Sequence, residues 1–184
     1  GSSSSNSSNS SSNSGVNQSF VANMSISRQT TQAITVVGNG GSYATLTLHT
    51  KRNGIWTETL SCSARVGKNG ITSNKREGDG KTPTGIYSFG QAFGVAGNPG
   101  TSRGWLQVNN NHYWVDDVNS PYYNKLVDAS QTGIQWSSAE HLIGYPTAYK
   151  YAIAVNYNTA CTPGAGSAIF LHCSTGGSTA GCIS

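Results

Sequence analysis

Hydrophobic and polar residues alternate over the first half of the chain, in the period-two pattern of half-buried β-strands. The segments AITVV, YATLTLHT and IWTETLSC follow one another between positions 33 and 62, with turn-forming Asn and Gly residues between them. We predict that Gly54 occupies a bulge in a three-residue loop, because this register puts the apolar side chains of both flanking strands on one face. Those side chains are Leu46, Leu48, Trp56 and Leu60. His49 would then point to the opposite face, which we expect to be solvated.

Strand-forming segments continue in the second half of the chain. GWLQV and HYWVDD predict a hairpin around residues 109–111, and YKYAIAVNYN and SAIFLH predict buried strands. The tetrapeptide SSAE at residues 137–140 fits a capping box, which predicts a short helix that carries His141 and ends at Gly144. The sequence as a whole therefore predicts a mainly β fold with one or two short helices.

The N-terminal tract differs from the rest in composition. Residues 1–14 read GSSSSNSSNSSSNS and contain no apolar side chain. Such a tract buries nothing that could offset the entropy lost on ordering, so we predict a flexible linker. Residues 15–31 are transitional. The predicted organisation is therefore a linker and transition over residues 1–31 and one domain over residues 32–184.

Composition points to a secreted protein. Charged residues make up only 10% of the 184 residues, while Gly, Ser, Thr and Asn are abundant. The net charge is +4, and a basic segment between positions 65 and 81 accounts for the excess. Its cations are Arg65, Lys68, Lys75, Arg76 and Lys81, against Glu77 and Asp79.

The basic segment has two explanations at this stage. It could meet a polyanionic surface or a carboxylate-bearing substrate, or it could be a solvated loop. Nucleic acid is a weaker alternative, because no aromatic residues interleave with the basic ones. No apolar run reaches the ~20 residues that span a membrane, so we expect no membrane span in this chain.

The cysteines do not follow a metal-binding pattern. No C-x-x-C occurs, and the adjacent His172 and Cys173 cannot easily chelate one ion. We therefore expect no metal and no cofactor. A single disulfide could form among Cys62, Cys161 and Cys173.

The last segment, FLHCSTGGSTAGCIS, separates His172 from Cys182 mainly by small residues. His172 ends a predicted strand, and a glycine-rich turn can bring Cys182 back beside it. A thiol becomes nucleophilic near an imidazole that takes its proton, and backbone N–H groups around Gly181 could form an oxyanion hole. A buried cysteine and a hydrogen-bonded histidine beside a glycine turn would explain the same spacing equally well.

Two motifs in this order resemble the L,D-transpeptidase catalytic domain, the YkuD family. The first is GDGKTPTGIYSFG, similar to that family's Thr-Pro-x-Gly-x-Tyr/Phe segment, and the second is SAIFLH…STAGCIS. The segments GKNGITSNKREGDG, WVDDVNSPYYN and SAEHL are similar to a wall-associated subgroup of the family. The resemblance covers roughly residues 32–184 and implies a β-sandwich of mixed sheets.

The resemblance also implies roles for individual residues. Cys182 would be the nucleophile and His172 the base, with the backbone carbonyl of Cys173 orienting the imidazole. The residues that would frame the oxyanion hole are Thr179, Ala180 and Gly181, ahead of the nucleophile. Those that we expect to contact substrate are Lys81, Thr82 and Tyr87.

The activity implied is peptidoglycan cross-linking. The cysteine would cut a stem peptide after an L-centre, release D-alanine, and pass the acyl group to the side-chain amine of a neighbouring stem, which makes a 3→3 cross-link. The protein would then be bacterial, secreted or associated with the cell wall, and acylated by carbapenem-type inhibitors. An L,D-carboxypeptidase outcome, with water as the acceptor, stays open.

Two departures from the family pattern bear on this interpretation. Ala180 stands where many members carry a second histidine, and the chain ends two residues after Cys182, at Ser184. Because family members continue beyond that point, often with Arg or Asn at the position of Ser184, we expect this chain to lack the C-terminal end of such a domain. The main rival is a non-catalytic wall- or carbohydrate-binding β-domain. A papain-like peptidase is disfavoured, since its cysteine precedes its histidine.

Overall fold

The structure, a computed structural model, describes residues 18–184, so the predicted Ser/Asn linker lies outside the described residues. Within the described range, the strands in chain order are β1 (Gln32–Gly40), β2 (Tyr43–Arg52), β3 (Ile55–Arg65), β4 (Ile71–Thr72), β5 (Thr82–Pro83), β6 (Phe89–Gly94), β7 (Trp105–Gln107), β8 (His112–Val115), β9 (Leu126–Asp128), β10 (Ala139–His141), β11 (Ala152–Val155) and β12 (Phe170–His172). One short α-helix, α1 (Ala129–Thr132), and 3₁₀ helices over Phe20–Asn23, Ser25–Arg28 and Leu142–Gly144 accompany them.

The first sheet is an antiparallel meander of β1, β2 and β3. Its second turn corrects the predicted loop: Asn53 and Gly54 alone connect the strands, with Arg52 paired to Ile55. Both turn residues have positive φ, 50° and 81°, as a type I′ turn requires. The Asn-Gly pair therefore decides the turn, and the predicted three-residue loop is wrong.

The bulge lies further along β3 than predicted. Leu48 pairs with Leu60 but His49 pairs with Glu58, so the extra residue falls between these two positions. Trp56 consequently shares a face with His49 and not with Leu48 and Leu60. The predicted single apolar face is wrong for this reason, and Leu60 is 53% exposed.

The face that carries His49 is buried, which corrects the expectation of a solvated histidine. His49 is fully buried, with Nδ1 2.6 Å from the Ser19 hydroxyl and Nε2 2.9 Å from the Thr35 hydroxyl. The Ser19 N–H also donates to the Trp56 carbonyl at 2.9 Å. The segment before β1 thus packs over this end of the sheet, and residues 18–31 belong to the folded domain.

Two further sheets form the second half of the domain. β10, β8 and β9 make an antiparallel sheet, while β12, β11, β6 and β7 make a mixed one in which only β6 and β7 run parallel. β4 and β5 form a short parallel pair. The predicted hairpin around residues 109–111 is wrong, since β7 and β8 lie in different sheets. The predicted fold class, a mainly β chain of mixed sheets arranged as a β-sandwich with short helices, is confirmed.

The predicted helix over residues 137–144 is also corrected. Glu140 lies in β10 and pairs with Trp114 of β8, and only Leu142–Gly144 is helical, as a 3₁₀ turn. The capping-box pattern is local, and the pairing of β10 with β8 overrides it. None of the helices in the described part of the chain has the length and apolar character needed to cross a bilayer.

The mixed sheet packs against apolar residues on both of its faces. One cluster contains Phe93, Tyr149, Phe170 and Cys182. The other joins the sheet to β2 and β3 and contains Ala44, Ala64, Val66, Ile169 and Ile183. Successive residues of the C-terminal segment therefore enter different cores, which fixes the direction in which the Cys182 side chain points.

Candidate functional site

The C-terminal segment is held by backbone hydrogen bonds on both sides. Ile183 forms a parallel bridge with Leu171, in which the His172 N–H donates to the Ile183 carbonyl at 3.0 Å. On the other side, Ser184 and Arg65 exchange two hydrogen bonds of 2.7 and 3.0 Å. The segment that carries Cys182 is thus anchored between β12 and the end of β3.

His172 and Cys182 project from the same face of neighbouring segments. Because Leu171 lies opposite Ile183 and side chains alternate along a strand, residues 172 and 182 both point to the other face. His172 is half-buried, and Cys182 is only 7% exposed. The structure therefore brings the predicted nucleophile and base together on one surface of the sheet.

The thiol nevertheless has other hydrogen-bond partners in this conformation. Cys182 Sγ accepts from the Phe170 N–H at 3.3 Å and donates to the Ala168 carbonyl at 3.2 Å. Within the described residues, no hydrogen bond links it to the His172 imidazole. Burial raises the pKa of the Cys182 thiol well above its usual range, and the negative charge of Glu140 raises it further. The resting thiol is therefore neutral.

The His172 imidazole is oriented by its neighbour in the chain. Its Nδ1–H donates to the Cys173 carbonyl at 2.9 Å, which leaves Nε2 as the acceptor nitrogen. The edge-to-face contact with Tyr149, at 5.4 Å between ring centroids, fixes the plane of the ring. Burial lowers the pKa of His172, although the Cys173 carbonyl opposes this. A neutral imidazole with a free Nε2 can accept a proton.

The turn before Cys182 leaves two backbone donors free. The Thr179 hydroxyl accepts from the Gly181 N–H at 3.1 Å and donates to the Cys182 carbonyl at 2.7 Å. In the described part of the chain, the N–H groups of Ala180 and Cys182 make no hydrogen bond. Such free N–H groups beside a nucleophile are the donors from which an oxyanion hole is built.

Gly181 is required by its surroundings. Its φ is +155°, and a Cβ atom built on it would lie 2.9 Å from the Lys81 carbonyl oxygen. That oxygen belongs to the backbone and cannot rotate away. The close approach of these two segments therefore depends on the missing side chain at residue 181.

Of the residues expected to contact substrate, two lie at this turn. The Thr82 hydroxyl donates to the Gly181 carbonyl at 2.8 Å and accepts from the Gly67 N–H at 2.9 Å, and the backbone of Lys81 is the close neighbour just described. Tyr87 makes no hydrogen bond or ring contact with His172 or Cys182 in the described part of the chain. It is 38% exposed, its hydroxyl donates to the Thr84 carbonyl, and its ring packs on Tyr157.

A cleft opens next to the turn that follows His172. It has a volume of about 320 Å³ and is lined in part by Arg65, Ser174, Gly176 and Ser184. The Arg65 guanidinium stacks on the exposed ring of Tyr43, 3.9 Å from its centroid. The cleft therefore offers hydroxyl groups and one cation beside the candidate site.

Sequence reasoning missed two side-chain pairs near the thiol. One is the Glu140 carboxylate, which accepts from the Tyr149 hydroxyl, and the other is the ion pair between Lys75 and Asp79. Opposite charges four positions apart in NKREGD were a signal for the second pair. Glu140 gave no such signal, because the residues around it suggested a helix cap.

The cysteines and acidic residues of the described chain do not form a metal site. All four cysteines lie in the described residues as free thiols, and only Cys62 is exposed. Residues 18–184 contain no group of three or more His, Cys, Asp or Glu side chains arranged to hold a metal ion.

The fold is a mainly β sandwich, and the candidate site is a cysteine–histidine pair beside a turn with free N–H groups. No protein-family model, curated protein or solved structure matches the chain. The likeness to L,D-transpeptidases accordingly stays a prediction that rests on the two motifs and on their placement.

Proposed function

We propose that this chain is an L,D-transpeptidase domain that acts on peptidoglycan stem peptides in the bacterial cell wall, as a secreted or wall-associated protein. The observation that carries the proposal is the pairing of Leu171 with Ile183, which places His172 and Cys182 on one face. The free Nε2 of His172 and the free N–H groups at the turn support it.

The first half-reaction uses these groups in order. The His172 Nε2 takes the Cys182 proton, and the thiolate attacks the carbonyl carbon of the stem peptide. The N–H groups of Ala180 and Cys182 donate to the resulting oxyanion, with each donor contributing about 3 kcal/mol to the transition state. Collapse of this intermediate breaks the C–N bond, and His172 returns the proton to the D-alanine that leaves.

The second half-reaction resolves the thioester. The side-chain amine of a neighbouring stem attacks the acyl carbon, His172 takes a proton from that amine, and Cys182 leaves as the thiol. The cleft with Arg65 and its stacked Tyr43 supplies a positive charge for a stem carboxylate. Attack by water in place of the amine would give the carboxypeptidase outcome.

Before the first step the thiol has to change partners. Sγ is hydrogen-bonded to the Phe170 N–H and the Ala168 carbonyl, so the Cys182 side chain must rotate to bring Sγ to the His172 imidazole. This same arrangement is the observation that favours the alternative, a non-catalytic wall-binding domain in which Cys182 is only a core residue. The two proposals differ in whether Cys182 can be acylated.

The test is intact-mass spectrometry after incubation with a carbapenem, which mimics the acyl donor. We expect one adduct that maps to Cys182, is lost in Cys182→Ala and is greatly slowed in His172→Ala. Cys62→Ala is the matched control, since Cys62 is an exposed free thiol of β3. If the chain forms no adduct but still sediments with purified cell wall, the binding domain is the correct interpretation. Incubation with stem peptides then distinguishes cross-linked dimers from trimmed monomers.

A further inference from the structure

The side chain of Lys75, a cation of the basic segment, is only 5% exposed. Its ammonium forms an ion pair with Asp79 and donates to the Arg76 carbonyl at 3.0 Å. An ammonium carries three N–H groups, so one of them has no acceptor among the described residues. A buried lysine with a free donor is costly unless something else uses that donor.

The ammonium lies directly over the residue that precedes the nucleophile. A Cβ atom built on Gly181 would lie 3.6 Å from Lys75 Nζ, and one built on Gly166 would lie 3.0 Å from Lys75 Cγ. The lysine side chain therefore runs between two glycines, both with positive φ. A side chain at Gly166 would crowd the lysine stem, whereas a Cβ at Gly181 would be in ordinary contact with the ammonium.

Asp79 holds the lysine in this position. Its carboxylate accepts from the backbone N–H groups of Arg76 and Lys81, each at 2.9 Å, as well as from Lys75. Since Lys81 is also the residue whose carbonyl touches Gly181, one short loop fixes both the lysine and the turn. Asp79 is a positioning residue in this arrangement.

The charged groups around the thiol have opposite effects on the pKa of Cys182. Burial raises the pKa of Cys182, Glu140 adds to this, and Lys75 lowers it. The other titratable groups next to the thiol are His172, on the same face, and the Tyr149 hydroxyl, which is held by Glu140. Lys75 is thus the cation that favours negative charge at this turn.

We propose that Lys75 is a further functional residue of the acyl-transfer site, with its ammonium stabilising the negative charge that forms at the Gly181–Cys182 turn. This inference rests on the proposed function. When the Cys182 proton moves to His172 Nε2, the charge is on sulfur, and when the C–S bond forms, the carbonyl electron pair moves to the oxyanion. Lys75 keeps its proton in both steps and supplies its free N–H to the charged atom.

The experiment measures the rate of Cys182 alkylation by iodoacetamide against pH, read by peptide mapping because the other thiols also react. In Lys75→Met we expect the midpoint of the profile to rise by about one pH unit, as for loss of a nearby opposite charge. In Asp79→Asn the side-chain oxygen can still accept from Lys75 and from the Lys81 N–H, while the negative charge that offsets the ammonium is gone. We therefore expect a lower midpoint for this variant. Lys68→Met removes an exposed cation from the same segment and should leave the midpoint in place.

Opposite shifts of the midpoint in Lys75→Met and Asp79→Asn indicate an electrostatic role for Lys75. A purely structural role would instead slow alkylation in both variants. Thermal unfolding shows that each variant is folded. If Lys75→Met does not fold, Asp79→Asn decides, and an unchanged or raised midpoint overturns the proposal. Carbapenem acylation distinguishes failure of the proposed function from failure of the proposed role of Lys75. A wild-type chain that is not acylated contradicts the proposed function. Equal acylation rates for wild type and Lys75→Met contradict only the role of Lys75.

Discussion

Replacement of Glu140 by glutamine should change how the stability of the protein depends on pH. Burial raises the pKa of Glu140 to about 7 from 4.5, with Asp116 and Glu77 adding to the effect. The folded chain therefore holds this proton at pH values where the unfolded chain has lost it. The free energy of unfolding must fall as the pH rises from about 4.5 through about 7.

The magnitude follows from the size of the pKa change. At about 1.4 kcal/mol per pH unit, the carboxylate costs the folded state as much as about 3 kcal/mol at pH values above both pKa values. A glutamine side chain at this position cannot ionise, and its amide oxygen can still accept from the Tyr149 hydroxyl that bonds Glu140. The variant should therefore keep the hydrogen bond and should not lose stability as the pH rises through this range.

Urea unfolding at about pH 5 and about pH 8 tests this expectation. The stability of Glu140→Gln relative to wild type should increase by about 2.5 kcal/mol between the two pH values, because a smaller part of the loss already occurs below pH 5. Glu58→Gln is the matched control, because it removes one carboxylate from an exposed position of β3. If wild type and Glu140→Gln lose stability in parallel as the pH rises, the carboxyl does not ionise in a buried site and the reasoning is refuted.

Three further substitutions test the packing of the site and of the sheet. Gly181→Ala puts a Cβ 2.9 Å from the Lys81 carbonyl, so carbapenem acylation should fall at least tenfold, with a loss of about 1–3 kcal/mol in urea unfolding. Thr82→Val leaves the Gly181 carbonyl and the Gly67 N–H without their partner, which should cost about 1–3 kcal/mol by the same measurement. His49→Ala removes a fully buried ring with two hydroxyl partners and should cost roughly 3 kcal/mol, seen as a lower Tm.

Local patterns were sufficient for the fold class and for the strands near the candidate pair. The alternation in YKYAIAVNYN and SAIFLH predicts strands, and β11 and β12 lie within those segments. His172 at the end of β12 and Cys182 after a small-residue turn are brought to one face, as the spacing suggested. These features depend on side-chain alternation and turn geometry, which neighbouring residues determine.

Features that depend on distant packing could not be predicted in this way. The predicted register after Asn53-Gly54 is wrong because it places Trp56 on the face of Leu48. In the structure residues 18–31 cover the opposite face, and Trp56 is buried there. Glu140 follows the pairing of β10 with β8 and not its capping-box pattern. Lys75 is buried against Gly166 and Gly181, which are distant from it in the chain.

The fold itself explains why the pKa of the Cys182 thiol is raised. Because Ile183 enters one core and Cys182 the other, packing alone directs the thiol into an apolar cluster. That position favours the neutral form, and Glu140 strengthens the preference whenever its carboxyl is ionised. Among the described residues, the charge of Lys75 lowers the pKa of Cys182 and so opposes burial and Glu140. The Nε2 atom of His172 can accept the thiol proton. If the proposed function is correct, a bound acyl donor has to release Sγ from the Phe170 N–H and the Ala168 carbonyl before the His172 nitrogen can take the thiol proton.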